Sequence, residues 1–247
     1  MNCPGRTGTR MKVGMTLGSM PLKQRGSCAS ELLLFTRYPT EGAVKMRLAT
    51  EIGAARATAA HDVMTHHCLA VADAAAAMTG ALLRVMITGA TLGNAAAWLG
   101  GQRSLIDQGD GGLGDRVHRA LDAALQQGAR RVVVIGADCP ALTPALIADG
   151  FTLLEKHDVT LGPAIDGGFY LLGIAAGAAG YLPGLIDDLP WGTGQVRARL
   201  EENARHCGAT VAHLAPLNDI DTLADIDPCR WPWLAEAAGL LHGAAVI

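Results

Sequence analysis

Asp138 is the first residue whose type and place point to chemistry. It follows a β-branched apolar run, Val132 to Ile135, and a glycine, Gly136, that breaks that run. Thr143 and Pro144 come next, an N-cap and first-turn pair that starts a helix. In an open α/β sheet, ligands bind outside the carboxyl ends of the strands, so an acid here sits where a charged ligand would. Asp138 could instead cap the next helix, but Thr143 already fits that role. Far along the chain, Asn218-Asp219-Ile220-Asp221-Thr222 forms a second acidic turn. In extended backbone Asp219 and Asp221 face the same way, which is costly unless a cation joins them. The alternative there is a plain N-cap at Asp221-Thr222. Together the two turns predict a divalent-cation site with Asp138, Asp219 and Asp221 as ligands. Magnesium suits it, because it needs only one or two protein carboxylates when it also holds substrate phosphates.

Two further stretches have suitable chemistry. Arg37, Lys45 and Arg47 flank a loop that Pro39 and Gly42 force, and a helix follows. Cations ahead of a helix start suit a polyphosphate, although a solvated basic loop reads the same way. The loop is neither a GxxxxGK[ST] nor a GxGxxG sequence. Asp166-Gly167-Gly168, before the apolar run Phe169 to Ile174, lets backbone lie close to a ligand, with Asp166 able to accept from sugar hydroxyls. The other reading is an ordinary glycine turn. His66-His67-Cys68 is discounted as a metal site, since adjacent helical residues point apart. Cys139 is read as a small buried thiol rather than a nucleophile.

These residues need a scaffold that gathers turns at one edge, and the chain has the pattern of one. Short apolar runs at Leu32 to Phe35, Leu83 to Thr88, Val132 to Ile135, Val159 to Gly162 and Phe169 to Ile174 alternate with helical stretches. That alternation predicts a mostly parallel sheet covered by helices. Helices are expected over Arg47 to Ala77, with a break near His61, and over Thr91 to Leu99, Leu113 to Gln127, Thr143 to Lys156, the end of Trp191 to Cys207, and Trp233 to Leu241. Leu105 to Gln108 reads as a short strand or a loop, and Thr210 to Leu214 as a late strand. The expected organisation is an extension over residues 1–30, basic, without periodicity and disordered, then one catalytic domain over 31–247.

Composition narrows the class. With 50% hydrophobic residues and 31 glycines, the 247-residue chain suits an α/β enzyme with many tight turns. A net charge of −3 and few aromatics argue against nucleic acid as a partner. No run approaches a membrane span. Six irregularly spaced cysteines are read as reduced thiols, hence a cytoplasmic protein. Trp231 and Trp233 are read as core, with a homodimer left open.

In combination and order, the segments LLLFTRYPTEGAVKMRLA (32–49), GADCPALTP (136–144), GPAIDGGFYLLG (162–173), PWGTGQV (190–196) and LNDIDTLADI (217–226) resemble the bacterial GT-A, or nucleotide-diphospho-sugar transferase, superfamily. Within it the likeness is to a glycosyltransferase-like branch of the arsenosugar type. The resemblance implies a three-layer α/β/α Rossmann-like domain with a mostly parallel mixed sheet, using magnesium or manganese. It matches Arg37, Gly42, Lys45 and Arg47 to the phosphate-binding loop, and Asp138 and Asp221, with Asp219, to the metal ligands. Asp166, Gly167, Gly168 and Trp191 match the acceptor or sugar side. Met46, Gly192 and Ala224 depart from the family pattern, and the central motif reads ADC rather than DxD.

The function this implies is glycosyl transfer from a nucleotide sugar to a small-molecule acceptor. Lys45 and Arg47 would stabilise the leaving group, and Asp166 would orient the acceptor hydroxyl or act as its base. The alternative is nucleotidyl transfer from a nucleoside triphosphate (NTP) to a phosphorylated acceptor. A non-catalytic nucleotide-binding protein is the reading from another class.

Overall fold

The computed structural model describes residues 30–241; the expected extension lies almost wholly outside them. Seven strands form one sheet: β1 (Ser30–Arg37), β2 (Leu82–Thr88), β3 (Leu105–Asp107), β4 (Arg131–Gly136), β5 (Val159–Pro163), β6 (Phe169–Ala175) and β7 (Val211–His213). Their order is β3-β2-β1-β4-β6-β5-β7. Every neighbouring pair is parallel except those made by β6, which runs against both β4 and β5. The helices are α1 (Met46–Ile52), α2 (Ala54–Thr79), α3 (Leu92–Leu99), α4 (Leu113–Gln126), α5 (Pro144–Leu153), α6 (Leu182–Ile186), α7 (Val196–Cys207) and α8 (Pro232–Ala237).

The period of two along the central strands builds the layers. Leu33, Phe35, Val132 and Val134 pack on one face with Val117 and Leu121 of α4 and Leu200 of α7. Leu32, Leu34, Val133 and Ile135 pack on the other with Leu69 of α2, Ala95 of α3 and Ile147 of α5. This produces the helix-covered sheet that the alternation predicts and the mixed α/β/α sandwich that the resemblance implies. A third cluster joins α1, α2 and α8 through Leu48, Met64, Trp231 and Leu234. Trp231 is therefore core, and Trp233 stacks on His67 at 4.9 Å.

The helical break falls at Gly53, not at His61. Gly53 takes φ 86°, which ends α1 and starts α2. A left-handed φ suits glycine, whereas His61 is buried inside α2 and bonds through Nε2 to the Arg37 carbonyl at 2.8 Å. A turn of 3₁₀ helix at Ala176–Tyr181 followed by α6 fills a stretch for which the sequence pattern predicts no element.

The chain leaves β1 toward β2 and β3 and leaves β4 toward the other edge. The crevice between the carboxyl ends of β1 and β4 is thus the switch point of the sheet, where such folds bind ligands.

Candidate active site

Four connections gather at that edge: the segment after β1, the one after β4, the turn between β5 and β6, and the chain beyond β7. Lys45 joins the first to the others. It is the N-cap of α1 and holds a left-handed backbone, φ 43° and ψ 52°. Its side chain is 8% exposed, and Nζ lies 3.0 Å from Asp221 Oδ1 and 3.4 Å from Asp138 Oδ2. A non-glycine residue in this conformation costs roughly 1–2 kcal/mol. A buried ammonium stripped of its partners would cost about 3–5 kcal/mol, reduced here because both carboxylates are partly wet. The ion pairs are therefore strong enough to hold the strained turn.

The two acidic turns are stitched together by backbone. Ile220 N–H donates to the Asp138 carbonyl at 3.0 Å, and Ile220 is fully buried. Cys139 Sγ–H donates to the Asn218 carbonyl at 3.4 Å. Asp225 shapes the second turn, accepting from the Asp221 and Thr222 amides, the Thr222 hydroxyl and Asn218 Nδ2. Burial works against the Asp225 charge, but these bonds outweigh it and hold its carboxyl below the usual range. The N-cap reading of Asp221-Thr222 is half right: Thr222 caps the 3₁₀ turn Leu223–Asp225, which leaves Asp221 facing Lys45.

Oxygen atoms of Asp138, Asp219 and Asp221 come within 4.8 Å of one another. Burial, then the charges of Asp138, Asp166 and Asp221, push the Asp219 carboxyl up to about 6. Burial alone would lower the Lys45 ammonium, yet the Asp138 and Asp221 charges overcome it and raise the ammonium above its ordinary value. Arg47 Nη1 reaches Asp221 Oδ2 at 3.0 Å from a side chain 65% exposed. Negative charge remains in excess at Asp219. An all-oxygen set of three converging carboxylates fits a hard divalent cation of the magnesium or manganese kind, not zinc. Asp219 and Asp221 reach Asp138 from another turn, where the ADC motif offers no second carboxylate beside it.

A cleft of about 480 Å³ opens beside Lys45, lined by Arg37, Arg47, His61, Asp138 and Asp221. The His61 imidazole is held below its usual range, first by burial and also by the Lys45 charge, against its bond to the Arg37 carbonyl. A second cavity of about 240 Å³ adjoins it across Asp138 and Asp221, and Asp166, Gly168, Trp191 and Asp219 line this one. Trp191 packs edge-on against Phe169 at 5.7 Å.

The glycines here serve the backbone. Gly167 has φ 93°, and a Cβ on it would run into the Gly194 carbonyl. A Cβ on Gly194 would lie 2.7 Å from the Asp166 carbonyl. Arg197 N–H then donates to the Gly167 carbonyl at 3.0 Å. The Asp166-Gly167-Gly168 turn and the Trp191–Gly194 loop thus fit only as a pair. Asp166 Oδ1 accepts from Gly168 N–H at 2.8 Å. Neither Gly42 nor Gly167 lines either of these two cavities: Gly42, at φ 76°, turns the chain ahead of Lys45.

Asp225, Gly194 and Gly114, against which the Trp191 ring edge sits, escape sequence reasoning. Asp225 carries a signal in Thr222-x-x-Asp225, a capping box with Asp in the acidic place. Outside the site, His67 Nε2 bonds the Pro140 carbonyl and His66 Nδ1 the Asp62 carbonyl. Burial pushes the Cys139 thiol up to about 12. Among the described residues no helix is long and apolar enough to cross a membrane.

With this geometry in view, the family model described as "Uncharacterized protein conserved in bacteria (DUF2064)" matches residues 71–193. Curated proteins return no significant match. A solved protein from Desulfovibrio desulfuricans G20, described as a candidate nucleotide-diphospho-sugar transferase, is 29% identical. That match covers 81% of this chain and 86% of the other, with a TM-score of 0.75. The inositol-1-phosphate CTP transferase of T. maritima shares the fold at 9% identity, covering 86% and 97%, with a TM-score of 0.51. A CMP:2-keto-3-deoxy-manno-octonic acid synthetase solved with CTP shares it at 13% identity, covering 86% and 99%, with a TM-score of 0.50. The sheet order, the turns gathered at its switch point and the D. desulfuricans likeness agree: the chain belongs to the GT-A-like nucleotide-diphospho-sugar transferase superfamily.

Proposed function

We propose that the protein is a divalent-metal-assisted glycosyltransferase using a nucleotide-sugar donor. The observation that carries this is the meeting of Lys45, Asp138, Asp219 and Asp221 at the switch point, between a cleft with cationic walls and a smaller acidic cavity. Arg37, Lys45 and Arg47 would bind the phosphates with charge-assisted hydrogen bonds. Asp138, Asp219 and Asp221 would hold magnesium or manganese, which when bound neutralises the phosphates and the charge that grows on the leaving group. Lys45 is preorganised: its ammonium is buried and already oriented, so little reorganisation accompanies the developing charge. Asp166 uses Oδ1 within its own turn, which leaves Oδ2 for orienting an acceptor hydroxyl or taking its proton.

Nucleotidyl transfer is kept as a second reading, favoured by the three cations of the larger cleft, which suit a triphosphate, and by the shared fold of the two CTP-linked enzymes. The two readings differ in products. With magnesium and acceptor panels, the first releases a nucleoside diphosphate from a nucleotide sugar, and the second releases pyrophosphate from an NTP. Rapid pyrophosphate release would sink the glycosyltransferase reading. A nucleotide-binding protein without catalysis would release neither.

A further inference from the structure

Both oxygens of Asp221 already hold a cation that belongs to the chain. Oδ1 lies 3.0 Å from Lys45 Nζ, and Oδ2 lies 3.0 Å from Arg47 Nη1. A divalent cation that draws on Asp138, Asp219 and Asp221 together therefore meets two resident cations on one of its ligands. A carboxylate oxygen has lone pairs to spare, so geometry alone permits sharing. Charge does not: two more positive charges at contact distance repel whichever resident is free to move.

The two residents are held very differently. Lys45 is 8% exposed and grips Asp138 as well as Asp221, so moving it would strand a buried ammonium. Arg47 is 65% exposed, and Asp221 is its one ion-pair partner among the described residues. Such a pair is weak, and the guanidinium can turn into water at little cost. Asp221 cannot retreat in its place. Its amide is tied to Asp225 Oδ2, and the neighbouring Ile220 N–H to the Asp138 carbonyl. Nor does Arg47 serve its own helix. It stands in the first turn of α1, where a cation faces the unpaired N–H groups and no acid offsets it. It lines both cavities, so a phosphate in the larger cleft is within the site that it already borders.

We infer that Arg47 competes with the divalent cation for Asp221 in the metal-free protein, and passes to the nucleotide phosphate when that cation binds. This deepens the transferase reading above and rests on it for the metal. Nucleotide and metal then strengthen each other, because a phosphate draws away the metal's competitor.

The test uses the full-length protein at about 0.15 M salt, where exposed charges more than about 8 Å apart are largely screened. Manganese chloride alone is titrated and followed by electron paramagnetic resonance, so turnover plays no part. Arg47→Met, at an exposed position, should bind manganese roughly fivefold or more tightly than the wild type. A residue with a purely structural role would weaken the site instead. Arg37→Met is the control for charge at a distance, since Arg37 lines the same cleft and forms no ion pair among the described residues. It should change the affinity less than about twofold. Unchanged or weaker manganese binding by Arg47→Met overturns the inference alone, as does an equal gain in Arg37→Met. No manganese binding by any of the three proteins overturns it together with the metal of the transferase reading. The transfer to phosphate is read by thermal shift with the common nucleoside diphosphates in the presence of manganese. That shift should be smaller for Arg47→Met than for the wild type, and an undiminished shift overturns this step. A missing shift in the wild type counts against the transferase reading, and the manganese titration still decides whether Arg47 competes.

Discussion

Lys45 is a strained, buried cation held between carboxylates from two distant turns, and most of the chemistry proposed for the protein depends on it. Replacing Asp138 by Asn keeps the shape and removes one of the charges. Turnover should fall by about 10²-fold or more, with circular dichroism unchanged and the magnesium-induced rise in melting temperature reduced. Full activity in Asp138→Asn would remove the metal from the proposal. Asp219 gives a pH test. Its carboxyl is raised from an ordinary 3.8 to about 6, so the folded state holds the proton more tightly than the unfolded one. Without metal, stability therefore falls as pH rises from about 4 through about 6. A bound cation must displace that proton at low pH but not above it. Magnesium should thus raise the melting temperature more at about pH 7.5 than at about pH 5, and equal shifts would show that Asp219 is not a ligand.

At the level of elements, the site is made of connections held by unusual backbone. Gly167→Ala places a methyl against the Gly194 carbonyl at a φ that alanine disfavours. The expected loss is about 2 kcal/mol or more, a drop of about 5 °C in melting temperature, with acceptor binding impaired before nucleotide binding. Gly42→Ala is the control: its φ is also left-handed, but no atom lies within 4 Å of the added carbon. Only the backbone strain of about 1 kcal/mol should appear. A Gly42→Ala loss as large as that of Gly167→Ala would refute the interlock. Asp225→Ala removes four hydrogen bonds from the turn that presents Asp219 and Asp221. Magnesium should then stabilise the variant much less, although no candidate ligand has been changed.

For the whole molecule, the sheet is a rigid frame buried on both faces. Leu34 is fully buried in the layer beneath α2. Leu34→Ala should cost about 2–5 kcal/mol, read as a lower denaturant midpoint, while the residual folded protein keeps its nucleotide preference. Most of this frame is legible in the amino-acid order. Runs such as Leu32 to Phe35 and Val132 to Ile135, short and bounded by turn residues, read as strands buried on both faces, and Thr143-Pro144 marks the start of α5, where Thr143 does accept from Leu146 N–H. The stretch from Ala176 to Ile186 is not legible, because its Gly and Pro content masks any period. The break at Gly53 is missed for a related reason: alanines on both sides of it continue the helical pattern without interruption.

The sequence by itself determined the strand–helix alternation, the set of acidic and basic residues placed at turns, and the pairing of Asp219 with Asp221, because periodicity and turn chemistry are local. Only the tertiary structure decided that Lys45 reaches Asp138 and Asp221 across 93 and 176 residues. It also decided that Gly167 needs Gly194, and that the acids divide one cleft into a cationic and an anionic part. Those facts depend on which strand ends become neighbours. That order is set by the burial of both sheet faces, a property of the whole core that no single segment encodes.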